Sequence, residues 1–126
     1  MSTKVGGYRD LLVWQKGISL VKRIYQVSQM FPSEERFGLT SQVRRAAVSV
    51  PSNIAEGQAR FTTREFIHFI SNAEGSTAEV DTQLVIAVEL DFCKAAEAKG
   101  AFEAIIELRK MLNALRRTLQ EKELQK

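Results

Sequence analysis

The chain has 126 residues, 44% of them hydrophobic and 26% charged, with a formal net charge of +3. That balance excludes a disordered polyelectrolyte and suits one globular domain around a single core. Apolar runs fall short of the roughly 20 residues that span a bilayer, no signal-peptide stretch follows Val5, and the lone Cys93 rules out a disulfide framework or cysteine metal cluster.

A reduced, cytoplasmic setting is therefore expected, with flexible ends over 1–7 and 121–126 and a folded unit over 8–120. The first helix is expected at 8–30, because Leu11, Trp14, Ile18, Val21, Tyr25 and Ser28 recur every three or four residues. Phe31-Pro32 should stop it, since proline disfavours helical geometry in the residue before it. Ser33 is a candidate cap for a second helix at 34–57, with Glu34 and Glu35 in the first turn, where the dipole favours acids. Its apolar face reads Leu39, Val43, Ala46 or Ala47, Val50 and Ile54. Pro51 lies inside that pattern and lacks an amide donor, so a kink is expected there, and Gly57 should end the helix.

Thr62-Thr63-Arg64-Glu65 has the form of a capping box and opens a third helix at 63–92. Phe66, Phe69 or Ile70, Ala73, Thr77, Val80, Leu84 and Val88 give its stripe. A fourth helix at 97–120 carries Ala101 or Phe102, Ile105, Leu108, Leu112, Leu115 and Leu119 in a near-heptad. Between the two, 93–99 is alanine-rich, and Gly100 is only a modest breaker. No segment alternates as a half-buried strand does. Short links between such helices predict an all-α, antiparallel, up-down-up-down four-helix bundle.

Charge is unevenly distributed. Between Phe61 and Phe92 one base, Arg64, stands against six acids, Glu65, Glu74, Glu79, Asp81, Glu89 and Asp91. The remainder is basic, so unlike faces could pair between copies or attract a phosphate backbone. Arg36, Arg44, Arg45, Arg60 and Arg64 gather on and just after the second helix; Arg109, Lys110, Arg116 and Arg117 recur on the fourth. Arginine forks suit phosphate, which makes Arg44, Arg45, Arg60, Arg64, Arg109, Lys110, Arg116 and Arg117 the candidate nucleic-acid contacts. The competing reading is a solvated face paired to acids such as Glu107 or Glu121. No aromatic stacking platform is interleaved with these bases, which argues against sequence-specific single-strand binding.

No catalytic residue, metal or cofactor is expected. Glu65-x-x-His68 has the spacing of a bundle metal motif, but that chemistry needs two such motifs and His68 is the only histidine. Cys93 reads as a small buried hydrophobe. Ser49, Ser52, Asn53 and Glu56 around Pro51, and Glu74, Ser76 and Glu79 around Gly75, suggest a structural polar network between the second and third helices.

The segment Gln42-Val-Arg-Arg-Ala-Ala-Val-Ser-Val-Pro-Ser-Asn-Ile-Ala-Glu-Gly57, with Leu12-Val-Trp-Gln-Lys16 and Ala73-Glu-Gly-Ser76…Glu79, resembles the four-helix-bundle proteins encoded in intervening sequences of 23S ribosomal RNA genes. The likeness runs from Tyr8 to Leu119. It implies a bundle that assembles into a ring, a homopentamer. It also implies relatives that serve beside reverse transcriptases in retroelements, as basic oligomers contacting RNA or DNA and a polymerase. No catalytic residues come with the resemblance.

Overall fold

A computed structural model of the chain describes residues 7–125, and all of its regular elements there are helical. A short 3-10 turn at Gly7–Asp10 leads into α1, Leu12–Ser28; a second at Ser33–Glu35 precedes α2, Leu39–Gln58; α3 spans Thr63–Glu89 and α4 spans Ala95–Leu124. At 1.5 Å per residue these helices run from about 25 to 45 Å. The expected flexible 1–6 lies outside the described residues, whereas Glu121–Leu124, expected to fray, continues α4.

Each helix packs on its neighbours, α1 on α2, α2 on α3, α3 on α4 and α4 back on α1, with no direct diagonal packing. Residue numbers rise in one helix as they fall in the next. Glu74 meets Arg116 and Asp81 meets Arg109 across α3 and α4. Gly17 meets Pro51 and Ser28 meets Arg44 across α1 and α2. Adjacent helices therefore run in opposite directions at these contacts. The core consists of the inward stripes, including Leu20, Ile24, Val43, Val50, Ile54, Ile70, Val80, Leu84, Ile105, Leu108 and Leu112, all essentially solvent-free.

The stripes of α2, α3 and α4 follow the sequence periodicity closely. That of α1 is displaced by one position. Val13, Gly17, Leu20, Ile24 and Val27 are buried, while Leu11, Trp14 and Val21 form the rim and Ile18 and Tyr25 are exposed; of the expected stripe only Ser28 is buried. Both stripes satisfy the spacing of three and four, and the outer one carries the larger side chains. Gly17 is the inner stripe's least apolar member and lies against Pro51 of α2. A methyl there would sit 3.2 Å from Pro51 Cβ.

Helix ends depart further from expectation. Ser33 makes no capping bond. Glu35 caps α2 instead, its carboxylate accepting from the Leu39 N–H at 3.0 Å, with Gly38 as the boundary residue. α2 continues through Pro51 and past Gly57 to Gln58. Gly57 is a packing residue rather than a terminator, because Phe66 and Phe69 of α3 lie against it.

Thr62 caps α3 as expected, accepting from the Glu65 N–H at 3.1 Å, but the returning Glu65 carboxylate accepts from the Thr62 hydroxyl at 2.9 Å, where a capping box would have it accept from the Thr62 amide. α3 stops at Glu89 because Asp91 adopts φ 60°. Around it the Asp91 N–H donates to Val88 O and the Phe92 N–H to Ala87 O, the paired bonds of a Schellman end. α4 then starts at Ala95, two residues early, since the Glu97 carboxylate accepts from the Lys94 N–H at 2.8 Å. Gly100 lies inside α4 and does not interrupt it.

Candidate nucleic-acid interface

Half of the eight candidate bases are taken up within the fold. On the α3–α4 seam the Arg116 Nε–H donates to Glu74 Oε1 at 2.6 Å, with both side chains about three-quarters buried, and a second Arg116 nitrogen donates to Gln120 Oε1 at 3.3 Å. Two turns earlier Arg109 approaches Asp81 at 4.0 Å. These partners come from α3 and not from Glu107 or Glu121; Glu107 pairs with Lys16 of α1 at 3.4 Å. Acids that could have faced a second copy thus neutralise bases of the same chain. Arg60 pairs with Glu56 at 3.2 Å and lies 4.8 Å from the Phe69 ring centre.

Arg44 binds the end of α1. Its guanidinium stacks 4.5 Å over Tyr25 and donates to Ser28 Oγ at 2.8 Å and Tyr25 O at 3.4 Å, a favourable place for a cation beside a helix C-terminus. Next to it Arg36 lies 5.4 Å over the ring of Phe37, which is 89% exposed. Tyr25, Arg36, Phe37, Arg44, Arg45 and Val48 line one open hollow of about 490 Å³. The bases do have aromatic neighbours, contrary to the expectation from sequence order. Tyr25 is on another helix, and Phe37 belongs to the link between α1 and α2.

Arg45, Arg64, Lys110 and Arg117 are exposed and make no hydrogen bond or ion pair among the described residues. Lys110 and Arg117 are seven positions apart, so they share one face of α4 about 10 Å apart. They stand one residue beyond Arg109 and Arg116, a step that turns them out of the seam toward solvent.

The family model of 23S rRNA-intervening sequence proteins matches residues 9–114. The chain belongs to that family. Among solved structures, a protein of unknown function from the S23 ribosomal protein family of Bacteroides thetaiotaomicron superposes with a TM-score of 0.77 at 19% identity. The match covers 83% of this chain and 98% of that one, and at this identity it supports the fold alone. No curated protein matches in sequence.

In this 23S rRNA-intervening sequence protein the two polar clusters do not join into a network between helices. Ser49 donates to Ala46 O, Ser52 to Val48 O and Asn53 to Ser49 O, all within α2. Glu56 turns to Arg60, Glu74 to Arg116, and Glu79 accepts from Gln83 at 3.4 Å, while Ser76 bonds to none of them. The Ser49 and Ser52 hydroxyls and the Asn53 amide each meet a carbonyl of the preceding turn, which satisfies them locally within α2.

Glu65 is held by the α3 cap, and exposed His68 lies edge-on to Phe69 at 5.6 Å. Among the described residues no group of three or more His, Cys, Asp or Glu side chains is placed to hold a metal. Cys93 is buried, and burial pushes its thiol above the ordinary 9.0, with Glu97 acting in the same direction. No helix among the described residues is long and apolar enough to cross a membrane.

Proposed function

We propose that this family member is a non-enzymatic homo-oligomeric scaffold that binds nucleic acid, RNA first, through bases left over after the fold has used the others. The observation that carries the reading is the division of the eight: Arg44 and Arg116 are hydrogen-bonded across helices, Arg60 and Arg109 face acids of the same chain at 3.2 and 4.0 Å, and Arg45, Arg64, Lys110 and Arg117 are exposed with no such partner among the described residues. Seam pairs hold α4 against α3, and the step of one residue leaves Lys110 and Arg117 outward with no ion pair to an acid among the described residues, where a phosphate backbone can supply the counter-charge.

Self-assembly is supported by a second hollow of about 300 Å³ on the α1–α2 face, lined by Trp14, Ile18, Val21, Val48, Pro51 and Ala55. It supplies the apolar centre that exposed ion pairs alone cannot replace. The occupant proposed is a second copy, offering Val85, Ile86 and Leu90 beside Glu89 on α3, all exposed. Such a head-to-tail contact closes into a ring, with five copies as the family resemblance implies.

Two measurements test this reading. Light scattering on nuclease-treated protein should give a mass several times that of one chain, falling toward one chain in Ile18→Glu. Fluorescence anisotropy with a structured RNA at low salt should show binding. Absence of binding would remove the nucleic-acid role and leave a protein adaptor, for a polymerase or another RNA-bound protein, as the remaining reading.

A further inference from the structure

We infer that the hollow formed by Tyr25, Arg36, Phe37, Arg44 and Arg45 seats an unpaired nucleotide of single-stranded RNA, its base stacked on Phe37 and its phosphates on Arg36 and Arg45. This rests on the nucleic-acid reading above and narrows it to one class of substrate at one place.

Three features of the hollow converge. First, its lining holds three arginines and no carboxylate. Glu79 borders the neighbouring hollow that Phe37 and Arg45 also line, but it forms no ion pair with Arg45. An apolar segment of a protein would strip water from these guanidinium groups without compensation, whereas an anion supplies the missing charge.

Second, Phe37 is 89% exposed, although a phenylalanine is ordinarily buried. Arg36 covers one face of its ring at 5.4 Å, and at 89% exposure the ring keeps most of its surface open to a base. Aromatic rings beside arginines are how proteins hold unstacked bases, and the bases of a duplex are already stacked on one another.

Third, one wall of the hollow is ordered before binding. Arg44 stacks on the Tyr25 ring and donates to Ser28 Oγ and Tyr25 O, so its planar group is held without needing a ligand to order it. Thr40, which also lines the hollow and is 8% exposed, has a hydroxyl without a hydrogen-bond partner.

The test compares a short labelled oligouridylate, which stacks little on itself, with an RNA hairpin duplex closed by a compact tetraloop whose bases are themselves stacked and paired, using full-length protein and fluorescence anisotropy. Phe37→Ala should weaken oligouridylate binding roughly 5- to 150-fold, the range carried by stacking of one base. Hairpin binding should stay within about twofold, and Phe37→Trp should restore oligouridylate binding. Because Phe37 lies outside the helices and is exposed, the variants retain the fold, which circular dichroism checks. Unchanged oligouridylate affinity in Phe37→Ala, or an equal loss for both RNAs, overturns the inference. So does a fall in solution mass with RNA affinity intact, which would make the hollow a contact between copies. Wild-type binding to the hairpin but not to oligouridylate overturns the inference and leaves the proposed function standing; binding to neither overturns both.

Discussion

The same substitution at two helical glycines should act in opposite directions. A methyl added at Gly57 would sit 2.7 Å from Phe69 Cβ and 2.9 Å from Phe66 Cδ1. Phe69 Cβ is fixed to the α3 backbone, so it cannot swing away and the helices must part. Overpacking costs about 1–3 kcal/mol, and a contact this short against a carbon that cannot move falls in the upper part of that range, about 2–3 kcal/mol, offset by about 1 kcal/mol of helix propensity gained over glycine. The net loss at Gly57→Ala is about 1–2 kcal/mol. At Gly75 a methyl would meet nothing within 4 Å, so Gly75→Ala keeps the propensity gain of about 1 kcal/mol. For a domain of this length each kcal/mol moves Tm by about 4 °C. Thermal unfolding followed at 222 nm, at one protein concentration, should show Gly57→Ala lowered by about 4–8 °C and Gly75→Ala raised by about 3–4 °C. Shifts of the same sign at both positions would refute the reasoning that close approach of α2 and α3 at Gly57 sets the packing.

Asp91 closes α3 at φ 60°, a conformation easy for glycine and strained for a branched side chain, so Asp91→Gly should raise the urea midpoint slightly and Asp91→Val should lower stability by about 1–2 kcal/mol. The Glu74–Arg116 pair, at 2.6 Å and with only about a quarter of each side chain exposed, should show a coupling of about 1 kcal/mol in a double-mutant cycle to Gln and Met, shrinking in high salt. The Lys16–Glu107 pair, at 3.4 Å and more exposed, should give only a few tenths of a kcal/mol by the same cycle. Cys93, whose thiol is pushed up from 9.0 by burial, holds its proton more tightly folded than unfolded. Its contribution to stability is fully present below about pH 9 and is lost as pH rises beyond it. Unfolding in urea across that range should therefore show a shallower decline for Cys93→Ala than for wild type.

Much of the bundle was legible because leucine, isoleucine and valine recur at helical spacing on one dominant face of α3 and α4, with Val85, Ile86 and Ile106 as exposed exceptions. α1 was harder. Leu12, Val13, Trp14, Ile18, Leu20, Val21, Ile24 and Tyr25 cover more than half its circumference, and the choice of face depends on Gly17 meeting Pro51, a contact between helices. Ends set by a residue's own chemistry were readable, as at Thr62. Those set by a carboxylate reaching back, from Glu35 to Leu39 and from Glu97 to Lys94, or by Asp91 in the left-handed region, were not.

The candidate site divides in the same way. Sequence order shows that α4 is basic and α3 acidic. It does not show that Glu74 and Asp81 stand opposite Arg116 and Arg109, because that depends on the register between helices. Nor does it bring Tyr25 beside Arg44, nineteen positions away, with Phe37 on the same hollow. The free bases Lys110 and Arg117 become visible only by subtraction, once the paired ones are known.

The central claim is that the unpaired bases meet phosphate, and the salt dependence of RNA affinity tests it most directly. The logarithm of the binding constant should fall linearly with the logarithm of salt concentration, losing about 0.7–0.9 in slope for each phosphate contact. Lys110→Ala combined with Arg117→Ala should flatten that slope by about 1.4–1.8, while Arg109→Ala, whose side chain faces Asp81, should leave it nearly unchanged. A slope unaltered by loss of Lys110 and Arg117, or altered as much by loss of Arg109, would contradict the account.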